Sequence, residues 1–274
     1  MLTFSSNSVK NADMATIARK RLQSDNIKHR YRRTSMLQRI AALAFWLMIW
    51  QLIAVIIGQR FLLAAPMQVL QALVRLAPTA TFWQTLAATA LRIVGGFLIG
   101  ITAGALLAYA AHLSTWLTAL VQVPMRVMRS VPVVSFVILV LLFAGSTGLT
   151  ITIAALIVAP IAFANVQNGL MQQDPDLTDV AKVFNANKWQ SFQAVTWPAV
   201  LPFLAAAAQS GFGLAWKAGI SAEVIGIPRG SIGERFYQAR LTLATDDVLA
   251  WTVIIIVMAW LGERLLNHLL ASPE

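Results

Sequence analysis

Six long apolar stretches constrain this chain more than any other feature: residues 40–57, 83–111, 131–144, 149–169, 199–225 and 248–270 carry few or no charges. An α-helix needs about 20 apolar residues to cross the roughly 30 Å hydrocarbon core of a bilayer, and in lipid the helix pairs all its own backbone groups. The expected fold class is all-α integral membrane with about six transmembrane helices. The second stretch is long enough to tilt or to extend past the lipid. The short third is parted from the fourth only by Gly145-Ser146-Thr147-Gly148, a tight-turn composition, so these two read as a helical hairpin.

Composition agrees, with 58% apolar and only 12% charged residues where soluble domains carry about 25% charged. The net charge of +10 is not a nucleic-acid footprint. Its basic residues cluster ahead of or at the opening of the first apolar run: Lys10, Arg19, Lys20, Arg21, Lys28, Arg30, Arg32, Arg33 and Arg39. That is the positive-inside pattern, which reads residues 1–38 as a basic cytoplasmic segment and 39–272 as the transmembrane domain. A secretory signal would place its apolar core nearer the start, and a transit peptide would avoid acids such as Asp13 and Asp25. The basic arm also suits an anionic lipid surface. An even span count returns the C-terminus to the cytoplasm. Elsewhere the charges balance, with Arg126, Arg129, Lys182, Lys188 and Arg264 assigned inside against Arg60, Arg75, Arg229, Arg235 and Arg240 outside; orientation therefore rests on the N-terminal cluster.

Catalytic chemistry finds no support. There is no cysteine, which removes disulfides, thiolate metal sites and cysteine nucleophiles. His29, His112 and His268 are remote from one another and match no H-E-x-x-H spacing. The acids Asp174, Asp176 and Asp179 lack the calcium-loop pattern. No catalytic residue and no metal ligand is assigned.

Ionisable groups inside spans are costly in lipid and mark pathways or buried pairs. Arg92 in the second span and Glu223 in the fifth both fall in the outer halves of their spans and read as a stabilising or gating ion pair. Ser210, Gly213, Lys217 and Ser221 share one face of the fifth span. Ser210, Lys217 and Ser221 are candidate pathway residues, Lys217 favouring anionic solutes; alternatively Lys217 pairs with an acid elsewhere or reaches toward the interface. In the second span Gly96, Gly100, Gly104 and Ala108 recur every four residues, a stripe that lets helix backbones approach closely.

Residues 179–202 interrupt the apolar pattern. Leu177, Val180, Ala181 and Phe184 fall at helical spacing, Asn185 suits a left-handed break, and Trp189, Phe192 and Val195 open a second apolar stripe before Pro198 and Pro202. Such a helix–turn–helix lies on lipid or docks on a protein.

The run D-V-A-K-V-F-N-A at 179–186, with V-T-W-P at 195–198, resembles the EAA loop of ATP-binding-cassette importer permeases. LLAAPMQVLQAL at 62–73, LRIVGGFLIG at 91–100, RSVPVVSF at 129–136, QQDPDL at 172–177 and LAWKAGISAEVIG at 214–226 are similar to the nitrate, sulfonate and taurine branch of that family. The likeness spans roughly residues 60–265. Asp179 stands in place of the usual Glu, Asn185 in place of Gly, and Trp197 in place of Leu. The resemblance implies a type I importer permease from a bacterial inner membrane, with a cytoplasmic coupling loop at about 174–198. Asp179, Val180, Ala181, Val183, Phe184, Asn185 and Ala186 would contact a cytosolic ATPase subunit. It further implies two ATPase subunits, a second permease subunit forming a homodimer, an extracytoplasmic solute-binding protein, and ATP with Mg on the ATPase. The chain itself has no G-x-x-x-x-G-K-[ST] phosphate loop, so no cofactor is expected on it. A secondary transporter or channel working without an ATPase is the rival; it would show paired broken helices or a filter motif and would not need the cytosolic loop.

Overall fold

The computed structural model describes residues 36–59 and 61–270, so the basic residues Lys10 to Arg33, and Arg60, lie outside the described residues. The chain divides into two compact units, 1–58 and 59–274. In the first, α1 (Met36–Ile57) is 22 residues long, about 33 Å and so sufficient to cross a bilayer. Leu43, Trp46, Leu52 and Ile56 are all exposed on it, as expected of a helix that is apolar all round.

The second unit is built from α2 (Pro66–Leu76), α3 (Ala80–His112), α4 (Thr115–Ser130), α5 (Val133–Ala144) and α6 (Leu149–Met171), then α7 (Pro175–Val183), α8 (Lys188–Ser191), α9 (Trp197–Gly226), α10 (Ile232–Leu241) and α11 (Thr245–Leu270). Its centre is α3, α6 and α9. Ile93, Phe97, Ala154, Val158, Phe212 and Trp216 meet there in one core cluster.

The small-residue stripe explains how α3 and α6 come so close. A Cβ on Gly100 would sit 2.7 Å from the Val158 Cβ and 2.8 Å from the Ala155 carbonyl oxygen, and one on Gly104 2.7 Å from the Ala162 Cβ. Only glycine leaves room for that approach, which gains dispersion contacts where lipid provides no hydrophobic driving force. At one end of the bundle Ala108, Ala111, Phe163, Val166, Leu170 and Val200 close the core. At the other, Phe82, Leu86, Ile232 and Trp251 pack the start of α3 against α10 and α11. Arg75 of α2 there meets Asp246 and Asp247 of α11.

Two expectations need correction. The stretch 131–144 is not a span by itself: α5 has 12 residues, about 18 Å. Residues 115–130, left outside the expected spans, form α4, and α4 and α5 meet at a bend of 106°. Pro132 is the N-cap of α5 and Val131 is extended, because a residue preceding proline is driven out of the helical region. Among the described residues five helices are long and apolar enough to cross a membrane, and the bent pair makes six. The α5–α6 connection is the tight turn expected, with positive φ at Gly145 and Gly148, and Val137 packs with Leu149 and Ile153.

The second correction concerns the fifth stretch, expected at 199–225. Residues Lys188–Gly226 form one continuous helix, interrupted only by a π-helical turn, Phe192–Thr196. Pro198 lacks an N–H and its ring crowds the carbonyl four residues back. The wider i→i+5 turn, in which the Trp197 N–H donates to the Phe192 carbonyl, takes up that mismatch without a break.

Candidate functional site

Two sites lie at opposite ends of the bundle, joined by α6 and α9. The first is the hairpin between those two helices. Asp174 caps α7, its Oδ1 accepting from the Asp176 N–H at 2.9 Å, and Pro175 occupies the first helical position, where no N–H is needed. After Val183 the chain reverses through Asn185 at φ 53°. The Ala186 N–H donates to the Ala181 carbonyl at 2.9 Å and the Asn185 N–H to the Lys182 carbonyl at 3.0 Å. This pair of bonds is the Schellman closure, with Asn in the left-handed position. Asn187 then caps α8 reciprocally with Gln190, both bonds at 2.9 Å.

The turn is thus rigid, and the helix it presents is bare. No residue of α7 is buried; Val183 and Phe184 are 79% and 80% exposed, and Leu177 and Val180 51% each. Among the described residues Asp179 bonds only Lys182, one turn on, Oδ1 to Nζ 2.8 Å; such an exposed pair contributes little. Behind the turn an aromatic group anchors α8. Phe192 stacks on Trp189 at 5.7 Å and meets Tyr109 of α3 edge-on at 5.7 Å.

The second site surrounds Glu223, which is completely buried. Its Oε2 accepts from the Thr89 hydroxyl at 2.9 Å and its Oε1 from the Thr150 hydroxyl at 3.1 Å. The Ile232 N–H in turn donates to Thr89 Oγ1 at 3.1 Å. One carboxylate therefore ties α3, α6, α9 and α10 together. Arg92 Nη1 lies 3.8 Å from Glu223 Oε1, a charge contact without a hydrogen bond, while Arg92 Nη2 donates to the Arg229 carbonyl at 3.1 Å.

The candidate pathway residues stay on the open face of α9. Ser210 donates to the Ala206 carbonyl at 2.9 Å and Ser221 to the Lys217 carbonyl at 2.8 Å, so both hydroxyls turn back on their own helix. Lys217 is exposed, with no acid in ion-pair range among the described residues. Gly213, one turn away, is covered by Glu263 of α11, whose Oε1 lies 2.8 Å from where a Cβ would stand.

Sequence reasoning missed several of these groups. Arg129, assigned to the inside, lies in the last turn of α4 at the bend and donates from Nη2 to the Pro160 carbonyl at 2.8 Å, about halfway along α6. The proline after Ser130-Val131 was the signal that the helix breaks there. Thr89 and Thr150 looked like ordinary span residues, since nothing local marks a threonine as the partner of a residue 134 or 73 positions away.

Residues 96–269 match the family described as binding-protein-dependent transport system inner membrane component. The taurine transport system permease protein TauC of Escherichia coli is 27% identical over 91% of this chain and 94% of its own length. The putative aliphatic sulfonates transport permease protein SsuC of Escherichia coli is 30% identical over 74% of this chain and 76% of its own. The crystal structure of a bacterial ABC transporter involved in the import of the acidic polysaccharide alginate superposes with a TM-score of 0.61, covering 82% of this chain and 95% of that one at 19% identity; it supports the fold. With a bare hairpin at one end, a polar buried cluster at the other and the family match across most of the bundle, the chain belongs to the binding-protein-dependent transport permeases and is the membrane transport subunit of an ATP-binding-cassette importer.

Proposed function

We propose that the 174–198 hairpin is the coupling element through which a separate ATPase subunit drives this permease, and that the imported solute is a small sulfonate or similar organic anion. The observation that carries the coupling reading is the apolar edge of α7, left uncovered on a turn fixed by its own hydrogen bonds and continuous through α8 with the long α9. Asp179, Val180, Ala181, Val183, Phe184, Asn185 and Ala186 form the contact, and Phe184 is its anchor, because buried aromatics at an interface centre carry much of the binding energy. ATP and Mg belong to the ATPase, present in two copies; a second permease copy completes the pathway, and an extracytoplasmic binding protein delivers the solute. The hairpin and both termini then face the cytoplasm of a bacterial cell, with residues 1–38 as a basic segment near anionic lipid and 39–272 as the permease domain.

The anionic cargo is supported by the names of the two relatives, one a taurine and one an aliphatic sulfonates permease, and by Lys217, exposed and without an ion pair among the described residues. Lys217, Ser210 and Ser221 on the open face of α9 are assigned to the pathway wall, and Arg92 with Glu223 to its remote end. The test is ATP hydrolysis by the permease co-purified with its ATPase in lipid, comparing wild type with Asp179→Arg/Phe184→Ala. Loss of the ATPase from the complex, or hydrolysis no longer stimulated by loaded binding protein, is expected. A double variant that keeps both would leave the hairpin as a membrane-surface helix.

A further inference from the structure

At the end of the bundle remote from the hairpin, α3, the α5–α6 turn and the α9–α10 turn enclose a cavity of about 540 Å³, lined by Arg92, Ser146, Thr147, Gly148, Thr150, Pro228 and Arg229. No acid lines it. Glu223 lies behind its wall with both oxygens already accepting hydrogen bonds from Thr89 and Thr150. Glu234, the acid nearest in sequence to Arg229, bonds the Gly230 N–H at 2.7 Å. Two guanidinium groups against the one buried carboxylate of Glu223 leave the immediate wall with a positive excess.

Arg92 Nη2 and the Thr150 hydroxyl are already engaged, but other donors here are unused. Arg92 Nη1 is buried without a hydrogen-bond partner, and the Arg229 guanidinium makes no ion pair among the described residues. The Ser146 and Thr147 hydroxyls likewise have no partner there, and the 23-residue α6 begins at Leu149, so its first N–H groups and the positive end of its dipole face the same space. A buried guanidinium N–H without an acceptor is costly, and the size suits a small solute with a few waters.

We infer that this cavity is a receiving site for the transported solute, binding its sulfonate or carboxylate oxygens between Arg92 and Arg229, with Ser146 and Thr147 completing the hydrogen bonds. The inference rests on the reading that the cargo is anionic. Glu223 has a positioning role: it fixes the guanidinium of Arg92 by charge at 3.8 Å without consuming its N–H donors, so a ligand oxygen can take them. An anionic lipid headgroup offers the same chemistry as the solute, and the experiment must separate the two.

The full chain, assembled with its ATPase subunits in phosphatidylcholine nanodiscs without nucleotide, is titrated with radiolabelled ethanesulfonate. Saturable binding is expected, weakened about ten- to hundredfold by Arg229→Gln, the loss of one charge-assisted contact, and several-fold by Ser146→Ala/Thr147→Val. Arg229 is exposed and unpaired, so the melting temperature and elution of the complex should not move, which separates lost binding from lost folding. Absence of saturable binding to wild type, an unchanged affinity in both variants, or displacement of the probe by phosphatidylglycerol would each overturn the assignment. Uptake of the same probe into proteoliposomes, run in parallel, tells the two readings apart: uptake unaffected by the variants sinks only the cavity, whereas a coupled complex that imports no sulfonate sinks the anionic-cargo reading.

Discussion

Glu223 offers a quantitative test of what holds the remote end of the bundle together. At 3.8 Å from Arg92 and an effective dielectric constant near 20, the attraction between the two charges is about 4 kcal/mol. Arg92 is 31% exposed and opens on the cavity, so water restores part of that attraction when the carboxylate is removed. Glu223→Gln keeps the shape and one acceptor, and is expected to cost about 2 kcal/mol. Glu223→Ala also strands the Thr89 and Thr150 hydroxyls, at about 1 kcal/mol each, less what hydroxyl rotation recovers, so about 3 kcal/mol is expected. A cycle of Arg92→Met, Glu223→Gln and the pair, followed by fluorescence of the buried Trp216 and Trp251 during titration with dodecyl sulfate in mixed micelles, should give a coupling energy of about 1 to 2 kcal/mol. A charge swap, Arg92→Glu/Glu223→Arg, should not rescue, because position 223 is ringed by groups already donating toward it. Coupling below about 0.5 kcal/mol, or a swap that restores stability, would refute the reasoning.

Gly100→Ala and Gly104→Ala should each destabilise by about 1 to 3 kcal/mol, while Gly95→Ala, whose Cβ would meet nothing within 4 Å, should be neutral or slightly stabilising; equal melting temperatures across the three would refute the close α3–α6 contact. Lys217→Met should leave the melting temperature within about 1 °C, since the side chain is exposed and unpaired, yet lower the rate of sulfonate uptake several-fold; unchanged uptake kinetics would remove Lys217 from the pathway. Deleting Gln193 should convert the π-helical turn to regular helix, rotating the hairpin by about 100° and shifting it about 1.5 Å relative to α9. Coupled ATP hydrolysis should fall while the complex still folds, and hydrolysis that stayed coupled would show the hairpin's orientation to be unimportant.

How much of this could be read from residues alone follows the range of the signal. Span-length apolar runs, the stripe at Gly96, Gly100 and Gly104, and the Asn185 break are local patterns, and each acts locally: lipid selects the helix, glycine permits the approach, asparagine tolerates φ 53°. The α4–α5 bend was missed because residues 115–130 mix Arg126, Arg129, Ser130 and Pro124 into an otherwise apolar helix, which depresses hydropathy enough to leave the segment outside the expected spans. Lipid tolerates such a helix when its charges find carbonyls, as Arg129 does at Pro160. The two-proline segment was misjudged for a different reason. Proline predicts a missing bond, but it does not predict whether the chain answers by breaking or by widening one turn; here the turn widens, beside Phe192 stacked on Trp189 and edge-on to Tyr109.

The cavity could not be read from any single stretch. Its walls come from residues 92, 146–150 and 228–229, and they converge because α3, α6 and α9 are locked side by side by small residues. That same packing gives the two sites a mechanical relation. From the hairpin to the cavity the chain runs through α6 in 23 residues and through α8 and α9 in 39 without a break, about 34 Å and 58 Å of continuous helix. A displacement imposed on α7 therefore reaches Glu223 as a movement of a whole helix, with the π-helical turn as its one irregular segment among the described residues. Glu223 bonds α3 and α6 through Thr89 and Thr150 while itself riding on α9. Sliding α9 against the other two helices must lengthen those hydrogen bonds or carry the Arg92 contact with them, and either response changes how many donors the cavity offers.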